Sequence, residues 1–203
     1  MTLTLALGLL LCAAATPAQP EKVIALVPLG KVDPALVQVA ARAIEARVAA
    51  KVRLEPERAL PREAWNAARQ RWRAERLIAA LEADAPEGVF KVVGFTAAEI
   101  STTEGTVPDA RVGGLSDVGG RTCVVSSWIA VQSGRTREIL HRDVADLVVH
   151  ELGHALGLAH CETTGCAMRD AKRRALEPPP PGPRQFCDKC RKALGEGVLR
   201  PAK

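Results

Sequence analysis

The sequence predicts an α+β protein in which helices pack in layers against a twisted mixed sheet. Two observations predict this class. Short apolar runs of the buried-strand kind alternate with segments of helical periodicity in the first half of the chain, giving a β-α-β-α-β order. The 203 residues are 47% hydrophobic and 25% charged, which is the balance of a globular domain and argues against general disorder. This length predicts one domain with a small appendage.

The first half of the chain supplies the elements of this order. Residues 23–27 form an uninterrupted apolar run that predicts a buried strand. Asp33 and Pro34 then supply an N-cap and a first helical residue, and apolar residues recur at helical spacing up to residue 48. Residues 51–55 alternate as a second strand, and residues 90–95 predict a third.

The segment between the second and third strands predicts a helix over residues 62–83, which are rich in Ala, Arg, Glu and Leu. Trp65 and Trp72 fall on one stripe of this helix, and we interpret them as core packing instead of a ligand platform. Residues 96–121 are rich in glycine and predict only loops and short strands.

Residues 122–131 are rich in β-branched side chains and predict another strand. An exposed edge of this strand could bind a peptide as an added strand, and Cys123 within it is expected to be a small buried hydrophobe. A helix is predicted over residues 143–156, with His141 as a surface or capping residue at its start. The prolines of residues 177–183 predict an extended loop, and residues 188–194 a short final helix.

The helix over residues 143–156 carries the pattern H-E-x-x-H-x-x-G-x-x-H, which holds three of the four histidines of the chain. His150 and His154 are one turn apart and face one side of the helix, where both imidazoles can reach a single ion. Glu151 lies beside them, where its carboxylate can hold a metal-bound water. Gly157 can end the helix in a left-handed cap, so that the chain turns back and brings His160 as a third ligand.

A lone histidine on an apolar helix is more often a hydrogen-bonded core residue, and a bare H-E-x-x-H also occurs in unrelated helices. The added glycine and third histidine favour a metal site instead. Zinc held by three histidines keeps an open position for water and polarises a carbonyl, and Glu151 would act as the general base, so the predicted reaction is peptide-bond hydrolysis. The alternative function is a catalytically inactive, zinc-stabilised binding or scaffold protein.

Four cysteines follow in two close pairs, and both spacings suit a tetrahedral zinc site with four thiolates. They are Cys161, Cys166, Cys187 and Cys190. Two disulfides or free buried thiols are the alternatives. Cys161 directly follows His160, so one turn would deliver a ligand to each of two metal sites, and we expect the two sites to be mechanically coupled.

The formal net charge of +5 is concentrated at the end of the chain, where residues 169–203 hold ten basic and four acidic residues. Four thiolates around Zn²⁺ carry a net charge near −2, which these basic residues could offset. No aromatic residues interleave with them as in proteins that stack on bases. We therefore expect no nucleic-acid partner.

Residues 1–18 resemble a signal peptide, because residues 3–15 form an uncharged apolar run that precedes Thr16-Pro17-Ala18. A basic start is lacking, lipidation at Cys12 fits poorly, and a misassigned start codon is the alternative. The run is too short for a stable membrane span. We expect export to the periplasm or the exterior if the segment is a signal peptide, and otherwise a cytoplasmic protein.

The combined pattern of H-E-x-x-H-x-x-G-x-x-H-C, Cys166-Ala167-Met168 and Cys187-x-x-Cys190 resembles the archaemetzincin family of zinc peptidases. Weaker matches extend upstream to Val27-Pro28-Leu29-Gly30 and to Gly119-Gly120-Arg121. The leader and the absence of tyrosine are departures, and the latter excludes a phenolic transition-state stabiliser.

The resemblance implies a zincin, or metzincin-like, fold with an active-site helix and two zinc ions, one catalytic and one structural. It implies a catalytic domain over residues 19–160 and a four-cysteine subdomain over residues 161–203. The implied roles are catalytic zinc ligands (His150, His154, His160), general base (Glu151), Met-turn methionine (Met168) and structural zinc ligands (Cys161, Cys166, Cys187, Cys190). We expect a monomer acting on peptide or protein substrates, as an endopeptidase or an aminopeptidase.

Overall fold

The computed structural model describes residues 21–177, 180 and 182–201. The predicted signal peptide of residues 1–18, with Cys12, lies outside the described residues, as do residues 178, 179 and 181 of the predicted proline-rich loop.

The described residues form nine strands and six α-helices. In chain order the strands are β1 (Val23–Leu29), β2 (Lys51–Leu54), β3 (Trp65–Asn66), β4 (Arg71–Arg73), β5 (Lys91–Thr96), β6 (Ile100–Glu104), β7 (Val107–Val112), β8 (Gly114–Ser116) and β9 (Thr122–Ser126). The helices are α1 (Pro34–Arg47), α2 (Ala74–Ala83), α3 (Trp128–Gln132), α4 (Arg137–Ala155), α5 (Ala171–Arg174) and α6 (Asp188–Leu194).

The main sheet is mixed and has the strand order β2-β1-β5-β9-β8, in which only β8 runs antiparallel to its neighbour. Alternate residues of β1 enter two different cores, as the period-two geometry of a strand requires. Ile24 and Leu26 pack with α1 and α4 on one face, and Ala25 and Val27 pack with α2 on the other. The predicted α+β class with layered helices is therefore confirmed.

Helix α1 begins where the sequence predicts. The Asp33 carboxylate accepts a hydrogen bond of 2.8 Å from the Ala35 amide, and Pro34 occupies the first helical position. One otherwise unpaired amide of the first turn is satisfied in this way, and the proline has no amide that needs a partner.

The predicted helix over residues 62–83 is wrong in its first half, because only α2 at its C-terminal end is α-helical. Strands β3 and β4 form an antiparallel pair that places Trp65 opposite Trp72, with ring centroids 5.0 Å apart. Cross-strand packing of two aromatic rings here outweighs helix propensity. Trp72 packs against the core beside α2, whereas Trp65 is 40% exposed, so its assignment to the core is also wrong.

The second sheet has the order β3-β4-β6-β7 and continues this pair. Its central carboxylate, Asp109, accepts hydrogen bonds from Ser101 at 2.6 Å and from Arg73 at 3.2 Å. These hydrogen bonds hold the pKa of Asp109 below its usual value, so the carboxylate stays charged at neutral pH.

The predicted strand over residues 122–131 ends at Ser126, and α3 follows it. The Ser126 hydroxyl accepts a hydrogen bond of 3.1 Å from the Trp128 amide and so helps to end the strand. Strand β9 lies between β5 and β8, so the expected exposed edge at this strand is wrong, and β8 is the edge strand instead. Cys123 is fully buried, as expected.

Helix α4 begins six residues earlier than predicted, at Arg137, and its N-cap is Thr136. His141 therefore lies in the second turn of the helix, so it is not a capping residue, and its partial exposure agrees with the alternative of a surface residue. The helix ends at Ala155, and Gly157 has a φ of 109°, in the region that favours glycine. The predicted reversal of the chain after α4 thus occurs at Gly157.

The C-terminal end of α4 is held by a buried lysine of the main sheet. Lys91 in β5 donates hydrogen bonds to the carbonyl of Ala155 at 2.6 Å and to that of Gly120 at 2.8 Å. The Gly119 amide donates to the His154 carbonyl at 2.9 Å. A cation at this end also complements the helix dipole. Burial lowers the pKa of Lys91, although these carbonyls favour its charged form.

Among the described residues, no helix combines the length and apolar character needed to cross a lipid bilayer.

The first prediction concerns this anchor. Lys91→Met should lower the free energy of unfolding by about 1.5–3 kcal/mol, because it removes two hydrogen bonds from a charged donor and leaves the carbonyls of Ala155, at the end of α4, and of Gly120 without this partner. Urea unfolding of the zinc-loaded protein measures the change. The control is Lys51→Met, since the Lys51 side chain is 68% exposed and pairs only at the surface with Glu21. Equal unfolding midpoints for the two variants would contradict the prediction.

Candidate metal centre

Two histidines in the last turns of α4 have their tautomers set by backbone carbonyls. His150 Nδ1 lies 2.8 Å from the Ala167 carbonyl oxygen, and His154 Nδ1 lies 2.7 Å from that of Leu158. A carbonyl can only accept, so each Nδ1 carries the proton and donates it. Each Nε2 therefore keeps a free lone pair, which is the form of imidazole that binds metals.

These two Nε2 atoms converge, with 3.2 Å between His150 Nε2 and His154 Nε2. Two lone pairs at this separation repel each other unless a proton or a cation lies between them. Tetrahedral zinc with Zn–N bonds of roughly 2.0–2.1 Å would place two nitrogen ligands about 3.3 Å apart. The pair thus fits a metal ion.

His160 completes this group after the chain reverses at Gly157. Its ring centroid lies 5.3 Å from that of His150 and 4.8 Å from that of His154. One nitrogen of each of the three residues lies within 4.8 Å of the others, so the three could hold one ion. The His160 side chain is 52% exposed, in contrast to the buried pair on α4. The group is thus open to water and substrate on one side.

Asp170 is a residue of this site that the sequence analysis missed. Its Oδ2 lies 3.6 Å from His160 Nδ1, a position from which it can orient the ring. Asp170 also accepts a hydrogen bond of 2.9 Å from the Lys172 amide at the start of α5. The only signal for it in the sequence is that of an ordinary N-cap.

Burial keeps both helical histidines uncharged. It lowers the pKa of His150 to about 3, and it also lowers the pKa of His154. The Ala167 and Leu158 carbonyls act in the opposite direction, but their effect is smaller. At neutral pH both rings are therefore ready to bind a metal without first losing a proton.

Glu151 is buried beside the histidines, and burial raises its pKa to about 8. It packs against Gly114 in the edge strand β8. A Cβ atom at Gly114 would lie 2.5 Å from Glu151 Cγ and 2.9 Å from Glu151 Oε1. Glycine at this position therefore lets the strand approach the carboxylate closely. The contact of Gly114 with Glu151 was not predicted, and the adjacent pair Gly113-Gly114 is its only signal in the sequence.

Met168 is fully buried and packs against α4 at Gly153. A Cβ atom at Gly153 would overlap Met168 Sδ and would lie 3.1 Å from Phe186 Cε1, so the missing side chain in α4 leaves room for the methionine. The residue before it, Ala167, supplies the carbonyl that holds His150. One turn therefore both packs beneath the helix and orients one histidine.

The four cysteines form a second group beside the first. The Sγ atoms are 3.7 Å apart in the pair Cys161 and Cys187, and also in the pair Cys166 and Cys190. A disulfide would need about 2.05 Å. Tetrahedral zinc with Zn–S bonds of about 2.3 Å places two sulfurs about 3.8 Å apart. The four Sγ atoms lie within 4.8 Å of one another, so they fit one metal ion, and two disulfides do not fit.

The comparisons with known proteins follow this geometry. The model of "Peptidase family M54" matches residues 40–196. An archaemetzincin of Halobacterium salinarum is 30% identical over 152 residues, which cover 70% of this chain and 83% of that protein. One of Haloarcula marismortui is 28% identical over 153 residues, with the same two shares.

Two solved structures show that the chain has the archaemetzincin fold. The archaemetzincin of Methanopyrus kandleri has a TM-score of 0.70 and 24% identity, and the match covers 86% of this chain and 93% of that one. The archaemetzincin of Archaeoglobus fulgidus has a TM-score of 0.63 and 24% identity, with coverage of 85% and 99%. The family model and the relatives confirm the predicted resemblance, and this chain belongs to peptidase family M54, the archaemetzincin family of zinc metallopeptidases.

Proposed function

We propose that this chain hydrolyses peptide bonds with Glu151 as the general base, and that it holds two zinc ions, one catalytic and one structural. The main support for the catalytic site is the distance of 3.2 Å between His150 Nε2 and His154 Nε2, whose lone pairs converge. The proposed catalytic ligands are His150, His154 and His160, and the proposed structural ligands are Cys161, Cys166, Cys187 and Cys190.

Zinc held by His150, His154 and His160 would supply Lewis acidity, which would polarise the scissile carbonyl and lower the pKa of water. Glu151 accepts the proton of the water that attacks the carbonyl carbon. It then donates this proton to the amine nitrogen as the C–N bond breaks. The base must be ionised, and a dication beside it favours the carboxylate over the neutral form that burial favours.

The packing around Glu151 supports its role. Gly114 lies against its Cγ and carboxyl group, and the residue is only 7% exposed. The carboxyl group is thus restricted to a small range of positions beside the histidines, which reduces the conformational entropy lost on reaching the transition state. The exposed side of His160 leaves space for the substrate beside the histidines.

The proposed structural zinc stabilises the backbone that orients the catalytic ligands. Cys161 directly follows His160, and the Cys161 amide donates to the Met168 carbonyl at 2.8 Å. Cys166 precedes Ala167, whose carbonyl holds His150. The loop over residues 161–166 thus begins and ends with a proposed thiolate ligand. Each of these cysteines is the neighbour in sequence of a residue of the proposed catalytic site, which supports the expected coupling of the two sites.

The second prediction tests the base. Glu151→Gln should retain zinc and reduce hydrolysis by roughly 10²–10⁴-fold, because the amide cannot accept the proton of water. Cleavage of a peptide library, followed by mass spectrometry, measures the loss, and elemental analysis measures the zinc. Glu138→Gln is the matched control, since Glu138 is an exposed residue of the first turn of α4. Hydrolysis at an undiminished rate in Glu151→Gln would exclude Glu151 as the base.

The third prediction concerns metal content. Elemental analysis should find two zinc ions per chain, and mild chelation should remove the one held by histidines first. The reason is that His160 is half exposed, whereas three of the four cysteines are buried. Activity should be lost with the first ion and return when zinc is added. A single zinc ion together with no free thiols would contradict the four-thiolate site.

The fourth prediction tests the coupling. Cys161→Ser should lose the structural zinc and also lower both the affinity for the catalytic zinc and the peptidase activity, because His160 loses its fixed neighbour. Thr164→Ala is the control in the same loop, since this side chain is exposed. Titration of zinc against each variant measures both affinities. Unchanged activity and unchanged affinity at the histidine site in Cys161→Ser would show that the sites are independent.

A further inference from the structure

A cavity of about 700 Å³ lies along α4 and is lined by residues of this helix up to the turn before Glu151. Leu147, which lies one helical turn before Glu151, is part of its lining. Gly113 also lines it and is the neighbour of Gly114, which contacts Glu151. The remaining walls come from α3 on one side and from α5 on the other. Its volume suits a substrate side chain and the adjoining backbone.

Four arginines and three carboxylates line this cavity, which leaves one excess positive charge. The carboxylates already have cationic partners. Asp143 pairs with Arg135 at 2.9 Å, and Glu177 pairs with Arg169 at 2.6 Å.

Asp146 is the third carboxylate of the lining. It accepts a hydrogen bond of 2.9 Å from the Arg184 amide and lies 3.9 Å from the guanidinium groups of both Arg47 and Arg184. The acidic residues of the lining are thus neutralised, and they do not make the cavity attractive to a cation.

Arg174 in α5 lines the cavity, and its guanidinium group forms no ion pair or hydrogen bond with the residues that the structure describes. The Arg174 amide donates to the Asp170 carbonyl at 2.8 Å, and the Asp170 carboxylate lies 3.6 Å from His160, so Arg174 is one helical turn from a residue that contacts the histidine group. Burial lowers the pKa of Arg174, and the surrounding carboxylates only partly offset this effect. Arg142, the other unpaired arginine of the lining, is eight residues before His150, or about 12 Å along α4.

We infer that Arg174 recognises a carboxylate of the peptide substrate in this cavity, next to the scissile bond. The inference rests on the proposed peptidase function and names a substrate class for it. A guanidinium group presents two parallel N–H donors that match a carboxylate, and partial burial strengthens this pairing relative to water. The carboxylate can come from an Asp or Glu side chain or from the C-terminus of a short peptide.

Three peptide pools distinguish these sources. Two pools are amidated at the C-terminus and differ at one fixed position, which is Asp in the first and Asn in the second. The third pool has Asn at that position and a free C-terminal carboxylate. Zinc-loaded wild-type protein should cleave the first or the third pool about tenfold or more faster than the second, as a charged hydrogen bond implies. Preference for the first indicates a side chain, and preference for the third indicates the C-terminus.

Variants at position 174 test the role of the arginine. Arg174→Met should abolish the preference, and Arg174→Lys should retain part of it. Arg174→Glu should instead favour a fourth pool with Lys at the fixed position, a reversal that a merely structural residue would not produce. Arg173→Met is the matched control, because the Arg173 side chain is 59% exposed on the same short helix. It should keep the wild-type preference.

Ratios between pools are the measured quantity, so a general loss of activity in a variant does not affect the result. If the wild type cleaves peptides without a preference for carboxylates, or if Arg174→Met keeps the preference, the inference is overturned and the peptidase function stands.

Binding of the same pools to the zinc-loaded Glu151→Gln protein tests the opposite case, in which the inference holds and the proposed peptidase function fails. Retained peptides identified by mass spectrometry should favour the carboxylate pool by about tenfold, and Arg174→Met in this background should remove the enrichment. If nothing is cleaved by the wild type but this enrichment depends on Arg174, the inference stands and the proposed function fails. Binding and cleavage that are both indifferent to the carboxylate overturn the inference.

Discussion

The site depends on two hydrogen bonds between imidazole rings and the backbone. The Ala167 and Leu158 carbonyls each accept a proton from Nδ1 of a histidine, at 2.8 Å and 2.7 Å. This choice of tautomer turns both Nε2 lone pairs toward the same point. If either ring carried its proton on Nε2, the position between the rings would be blocked, so the ability to hold a metal follows from where two main-chain oxygens lie.

The rest of the chain keeps those two oxygens in place. Leu158 follows the reversal at Gly157, while Ala167 lies between Cys166 and the buried Met168. Gly153 lets the Met168 turn approach α4, and Lys91 ties the end of the same helix to the main sheet. Small residues thus permit the close approach of backbone segments, and a buried cation satisfies the carbonyls at the end of the helix.

Charge is distributed unevenly around the site. This distribution separates the group proposed for proton transfer from the arginine proposed to bind a substrate carboxylate. The helical histidines are held neutral by burial, and Glu151 is held in an apolar contact with Gly114. A dication would compensate the buried carboxylate, while the Arg174 guanidinium group lines the adjoining cavity without an ion pair or hydrogen bond to the described residues. The histidine site therefore suits proton transfer, and the adjoining cavity suits an anionic group of the substrate.

The sequence by itself determined the local features of this protein. His150 and His154 share a helix face by the helical repeat, Asp33 and Pro34 begin α1, Gly157 reverses the chain, and the cysteine spacings suit one ion. Each of these depends on residues a few positions apart, so short-range geometry suffices to predict them.

Contacts between segments that are distant in sequence determined the remaining features of the fold and of the site. Pairing of β3 with β4 overrides helix propensity around Trp65, and insertion of β9 between β5 and β8 removes the edge expected at residues 122–131. Gly114, Asp170 and Arg174 lie near the site only because the edge strand packs against α4 and α5 lines the same cavity as α4. Such packing is set by cores shared between remote parts of the chain, and no local pattern of residues encodes which segments meet.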